Sequence, residues 1–153
     1  PADCRLTLDA LRREDEIFLP LWEEDYVLCV PVGHPLAGRE RLALAELQHY
    51  DFIECPPCEA HQQTIGLLAC DRLTLNLVAK AESKGLVMAL VLAGVGISFL
   101  PDGLVEDEPG LRTVAVSGPR MFRRIGLCYP AHQTLNPALR DLIPELASRG
   151  ASW

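Results

Sequence analysis

Cys55-Pro56-Pro57-Cys58 is the stretch of this 153-residue chain whose residue types and spacing have reactive potential. Phe52-Ile53 reads as a short strand ahead of it, and a helical pattern from Ala60 to Cys70 follows. Proline is favoured at the first helical position, so the pattern predicts Cys55 as N-cap and a helix start at Pro56 or Pro57. A thiol at such a place meets free backbone N–H groups and the positive end of the helix dipole, which favour the thiolate. Three chemistries compete. In the first, Cys55 and Cys58, or one of them with Cys70, form a reversible disulfide, as in thioredoxin-type sites. In the second, Cys55, Cys58, His61 and Cys70 hold a metal. Structural zinc usually draws two ligand pairs from separate elements, so that cluster is weak and no metal is assigned. In the third, the loop's backbone N–H groups receive an anionic or polar ligand and the thiols are bystanders. A lone CxxC is a low-specificity match, and the third reading is preferred.

Other polar residues offer less. His34 lies in the turn Gly33-His34-Pro35-Leu36, where a histidine more often caps a backbone group than acts as ligand or acid/base. The charge run Arg12–Glu16 and the neighbours Glu23-Glu24 read as solvated. No Ser-His-Asp set emerges from the spacing, and no phosphate-binding glycine loop or GxSxG elbow is present. The expectation is a protein without catalytic residues or cofactor, not an enzyme.

Lys plus Arg number 14 and Asp plus Glu 21, a net charge of −7. A chain this acidic binds a phosphate backbone poorly, so any work on DNA is expected of another part. Apolar residues make up 49%, enough for a core without disulfide staples, and the six cysteines are expected to be mostly reduced in a cytoplasmic setting. The chain opens at Pro1 with no preceding Met, signal peptide or membrane span, and reads as a piece of a longer protein.

The elements that must position the thiols centre on Leu86–Pro101, the longest apolar run. Leu86–Ala93 reads as a buried helix, Gly94 as its left-handed stop, and Ile97–Leu100 as a buried strand closed by Pro101. Strand patterns also fall at Cys4–Leu8, Tyr26–Val30, Leu73–Ala79, Leu111–Val116 and Arg124–Tyr129. Leu42–Leu47 reads as one or two helical turns. Pro137–Ala147 has helical spacing, with Pro144 predicting a kink or early break. Strands alternating with helices give an α/β class.

Three segments resemble the LysR-type transcriptional regulators. Pro20–Ala37 carries the family's pattern of Pro-Leu, an acidic residue, an apolar strand and Gly-His-Pro-Leu-Ala. Ala43–Ile53 is similar to the stretch that follows it. Ser83–Pro101 resembles the family's segment from a serine to Ala-Gly-x-Gly-Ile and Leu-Pro, and Pro1-Ala2-Asp3 looks like the tail of a family strand. The resemblance implies the effector-binding domain, with a type 2 periplasmic-binding-protein-like fold of two α/β lobes and a ligand cleft between them. Residues 31–124 would form lobe II. Residues 1–30 and 125–153 would be part of lobe I, whose first half is absent here, as is the DNA-binding winged helix-turn-helix. The implied effector residues are Cys55, Pro56, Pro57, Cys58, His61, Gln62, Ser83 and Lys84, and backbone N–H groups at a helix start suit an anionic effector. The family's peroxide sensors carry reactive cysteines in this general region, which keeps Cys55, Cys58 and Cys70 open as redox residues. The implied partners are a small-molecule effector, a homodimer or tetramer, and promoter DNA reached only through the missing N-terminal domain, with no membrane. The alternatives are a thiol redox sensor or oxidoreductase, and a solute-binding protein.

Overall fold

The computed structural model describes residues 4–132 and 135–150, so Pro1-Ala2-Asp3 lies outside the described residues. The chain forms two compact units, one of Pro1–Glu24 with Arg123–Trp153 and one of Asp25–Phe122. The long strand β2 (Glu16–Pro31) belongs to both.

In the first unit, β1 (Arg5–Leu8) pairs antiparallel with β8 (Phe122–Pro130), Leu8 opposite Ile125. The charge run before β2 is not simply solvated. Arg5 grips Glu16 with two hydrogen bonds, at 3.1 and 2.6 Å, and the Arg13 N–H adds a third at 3.0 Å. These donors hold the Glu16 carboxyl at about 2. Glu23 and Glu24 are likewise paired, with Arg124 at 3.2 Å and Arg123 at 2.6 Å. Strand β2 therefore runs through Glu23 and Glu24, because guanidinium partners on β8 satisfy them, and Asp25 after them is paired with Arg120. The helix α3 (Pro137–Gly150) begins behind Asn136, whose Oδ1 accepts the Ala138 N–H at 2.9 Å. It continues past Pro144 rather than breaking there. The carbonyl that Pro144 leaves without a helical donor is that of exposed Arg140, where water can serve it.

The second unit is built on β2, which pairs antiparallel with both β6 (Ser98–Pro101) and β7 (Leu111–Ser117). The short β3 (Arg41–Ala43) runs parallel to β7. The region expected to be helical from Leu42 is therefore split: the strand comes first, then a 3-10 helix at Leu44–His49. Glu46 tightens that turn by accepting the Ala43 N–H at 2.9 Å. Strand β4 (Asp51–Glu54) pairs parallel with β5 (Asn76–Lys80). Alternate residues feed two cores. Leu28, Val30, Phe52 and Phe99 pack on the face that includes Ala60 of α1 (Glu59–Asp71). Cys29, Ile53 and Leu100 pack on the other, against Val87 and Val91 of α2 (Lys84–Leu92).

The apolar run forms the helix, turn and strand its pattern predicts, but the helix is buried on one face only, with Val87 and Val91 in the core and Leu86 and Leu92 exposed. Ser83 caps α2, its Oγ accepting the Leu86 N–H at 3.3 Å. At the far end the Gly94 N–H donates to Val91 O and the Val95 N–H to Leu90 O, with Gly94 at φ 75°, the paired bonds of a Schellman stop. Gly96 then passes so close to β4 that a Cβ there would sit 2.7 Å from the Asp51 carbonyl oxygen. A Gly96→Ala chain should lose about 2 kcal/mol in urea unfolding. Gly85→Ala, in a helix and with only the Ser83 Oγ nearby at 3.9 Å, should gain roughly 0.5 kcal/mol. Equal effects at the two glycines would refute the close-approach account.

Candidate functional site

Strand β4 delivers its last residue, Glu54, to the CPPC loop. The strand is fixed on both edges: β5 lies on one side, and on the other the Ile53 N–H donates to Ile97 O at 2.9 Å and the Ile97 N–H to Asp51 O at 2.8 Å. The Ser98 hydroxyl donates to Ile53 O at 2.8 Å and the Ala81 N–H to Glu54 O at 2.8 Å. The loop that follows therefore leaves a rigid strand end.

The loop is a turn, closed by the Cys58 N–H donating to Cys55 O at 2.9 Å and by a Cys55–Cys58 disulfide whose Cα atoms are 5.3 Å apart. Cys58, not Cys55, is the N-cap, and α1 starts at Glu59. The expected start at Pro56 or Pro57 is not what forms: Pro56 is kept out of the helical region by the proline that follows it, and Pro57 is taken up in the turn closed by the Cys58 N–H. Cys55 is buried and Cys58 half-buried. Cys70 is free and exposed near the far end of α1. It lies about 18 Å along the axis from Cys58 at 1.5 Å per residue, so the structure does not bring it to the pair. Burial pushes the Cys29 thiol up to about 12 and also raises that of Cys128. Among the described residues no cluster of three or more His, Cys, Asp or Glu is arranged to hold a metal.

Lys84 and Ser83 stand at the start of α2. Lys84 Nζ is bound by the Glu59 carboxylate, at 2.9 Å to Oε1 and 2.7 Å to Oε2, and Tyr26 Oη approaches the same carboxylate at 3.5 Å. Glu59 was not singled out from the sequence; its signal was a carboxylate in the first turn of the helix after the CPPC loop. His61 faces Glu54, with Nδ1 3.7 Å from Oε1. Gln62 points to solvent. Its neighbour Gln63 is the engaged one, exchanging two hydrogen bonds with the Phe122 backbone at 2.7 and 3.1 Å. About 100° of helix phase separates the two glutamines' surroundings. Cys55, Cys58, Glu54 and His61 also line a pocket of about 320 Å3 between α1, β4 and β5, mostly walled by apolar side chains. Among the described residues no helix is long and apolar enough to cross a membrane.

Residues 2–151 match the sequence profile of the family described as LysR substrate binding domain. An uncharacterized HTH-type transcriptional regulator of Bacillus subtilis, YybE, is 31% identical over 132 residues, covering 85% of this chain and 45% of that protein. A probable hydrogen peroxide-inducible genes activator of Mycobacterium avium is 30% identical over 142 residues, covering 85% and 44%. The chain thus spans less than half the length of these curated relatives. In structure it resembles the CcmR regulatory domain of Synechocystis PCC6803, solved in complex with 2-PG, with TM-score 0.83 and 17% identity, covering 95% of this chain and 72% of that one. The fold is accordingly the mixed α/β, periplasmic-binding-protein-like fold of such regulatory domains.

His34 has the capping role the sequence favoured. Its Nδ1 accepts the Leu36 N–H at 3.2 Å, its N–H donates to Pro31 O, and the ring packs 5.5 Å from that of Tyr50. Burial lowers its pKa from 6.5. As pH falls through the unfolded value the unfolded chain takes the proton first, so stability is complete above that value and declines below it. Urea midpoints measured from pH 7.5 to 5 should fall toward acid, and His34→Asn should flatten that slope. A slope unchanged by the substitution would remove His34 as its source.

Proposed function

Because this chain belongs to the LysR substrate binding domain family, we propose that it is the effector-sensing part of a longer bacterial transcription regulator. The unit Asp25–Phe122 is then the second regulatory lobe and the remainder is part of the first. The observation that carries the reading is the meeting of two helix starts and one lysine. The CPPC turn leads into α1, Ser83 leads into α2, and the Lys84–Glu59 pair joins them. Free N–H groups of a helix's first turn and a nearby ammonium receive a carboxylate or phosphate. Glu59 occupies the ammonium, so a small anionic effector would compete with Glu59 for Lys84. Pro56 and Pro57 stiffen the loop beside it, and His61 stands one turn in.

The domain works by binding rather than by turnover. Its charge of −7 makes it a poor partner for the phosphate backbone. Promoter DNA is therefore reached through a winged helix-turn-helix carried by the longer protein, in the cytoplasm, as a homodimer or tetramer. Effector binding shifts the population of domain states and so the placement of the DNA-binding parts. Family membership favours this reading over a solute-binding protein or an oxidoreductase.

A thermal-shift screen with small carboxylates tests the proposal. A carboxylate that stabilises the chain should bind Lys84→Met about tenfold more weakly, or ~1.4 kcal/mol, and Glu59→Gln more tightly. Unchanged affinity in Lys84→Met, or no carboxylate response at all, would count against it. The disulfide favours a second reading, in which Cys55 and Cys58 report oxidant state through the same loop. The pair Cys55→Ser with Cys58→Ser should fold normally yet lose any difference in ligand affinity between reduced and oxidised protein. A difference that survives the double substitution would exclude these thiols.

A further inference from the structure

The pocket under α1 is chemically unlike the Lys84 region. It lies wholly within the second unit, has a volume of about 320 Å3, and has neither Ser83, Lys84 nor Glu59 in its lining. Phe52, Leu68, Leu73, Leu75 and Phe99 supply its apolar walls. A volume of this order with apolar walls and few polar groups is the usual form of a small-molecule site.

Its polar groups define what the site would take. Two hydroxyls in the lining are already committed to the protein: Thr64 donates to Ala60 O at 2.8 Å and Ser98 to Ile53 O at 2.8 Å. Glu54 is different. Its Oε2 is buried and receives no hydrogen bond. The Lys80 ammonium, on a side chain 70% exposed, stands 3.3 Å from it at ion-pair distance. The other oxygen, Oε1, is 3.7 Å from His61 Nδ1, too far for a hydrogen bond. A buried acceptor without a donor is costly, and such groups in folded proteins call for an explanation. Oε2 is closed to solvent and is left to Lys80, so the oxygen a ligand donor can reach is Oε1, which accepts no hydrogen bond from the described residues. Glu54 also disfavours a carboxylate ligand, since no arginine or lysine lines the pocket and the one nearby ammonium, Lys80, is already paired with Oε2.

We propose that this pocket binds a small, neutral, largely apolar molecule bearing one O–H or N–H donor, of the phenol or aryl-amine class. The donor bonds Glu54, and the ring lies between α1 and the β4–β5 strands. This site shares Cys55, Cys58 and His61 with the rim of the anion site proposed above but not Ser83, Lys84 or Glu59, so the two proposals are tested by different substitutions.

Isothermal titration of the full chain with 2-naphthol and 2-naphthoate, which share one ring system, tests it. The naphthol should bind saturably, one molecule per chain, and the naphthoate at least roughly tenfold more weakly. Glu54→Leu should cost the naphthol about tenfold, whereas Glu54→Gln, which keeps an acceptor oxygen, should cost less. Ala69→Phe, at an exposed position of the pocket wall, should abolish binding with the circular dichroism spectrum unchanged. If that variant does not fold, Thr74→Trp, also exposed in the lining, fills the pocket from its other side. Equal affinity for the two naphthalenes, no saturable naphthol binding, or full binding by the folded filled-pocket variant would each overturn the proposal.

Discussion

The Ile97 N–H reaches the Asp51 carbonyl at 2.8 Å while the Ile53 N–H returns to the Ile97 carbonyl at 2.9 Å. That reciprocal pair holds β4 to a segment remote in sequence, and it exists only because Gly96 has no Cβ to strike the Asp51 oxygen. The Ser98 hydroxyl adds a third tie to Ile53. With β5 on its opposite edge, β4 has no freedom to slide, and Glu54 emerges at a fixed point. The disulfide turn, the N-cap at Cys58 and the first residue of α1 follow from that point within five positions. On the same sheet Phe52 and Ile53 face opposite cores, so the tie also fixes which helix covers which face.

The second unit surrounds that strand end with charge used in two ways. At Lys84 the cation is satisfied by Glu59. At Glu54 an acceptor is left short of donors beneath an apolar roof. The first unit uses charge for continuity instead. Arg123 and Arg124 meet Glu24 and Glu23, so β2 runs unbroken through that charged pair.

Much of this was legible in the residues. The helix, Gly94 stop and strand of Leu86–Pro101 followed from apolar content and the conformational freedom of one glycine. The CPPC loop stood out because a strand pattern precedes it and a helix pattern follows. What the chain did not disclose depends on partners far off in sequence. Nothing near Glu23 announces Arg124, and nothing near Lys84 announces Glu59. The helix starts at Glu59 rather than at Pro56 or Pro57, because the second proline restricts the first and both are spent in the turn. Nothing near Gln63, the neighbour of Gln62, announces its bonds to the Phe122 backbone, because which face of α1 meets Phe122 is set by tertiary packing and not by spacing.

Amide hydrogen exchange along the whole chain, with and without the carboxylate giving the largest thermal shift, tests the central claim that a rigid strand presents a ligand-responsive rim. The account predicts slow exchange at Ile53 and Ile97 in both states. It also predicts fast exchange at Glu59 and Ala60 that slows on binding, together with the start of α2. Exchange at Ile53 as fast as in the loop, or protection gained only within residues 4–24 and 123–150, would contradict it.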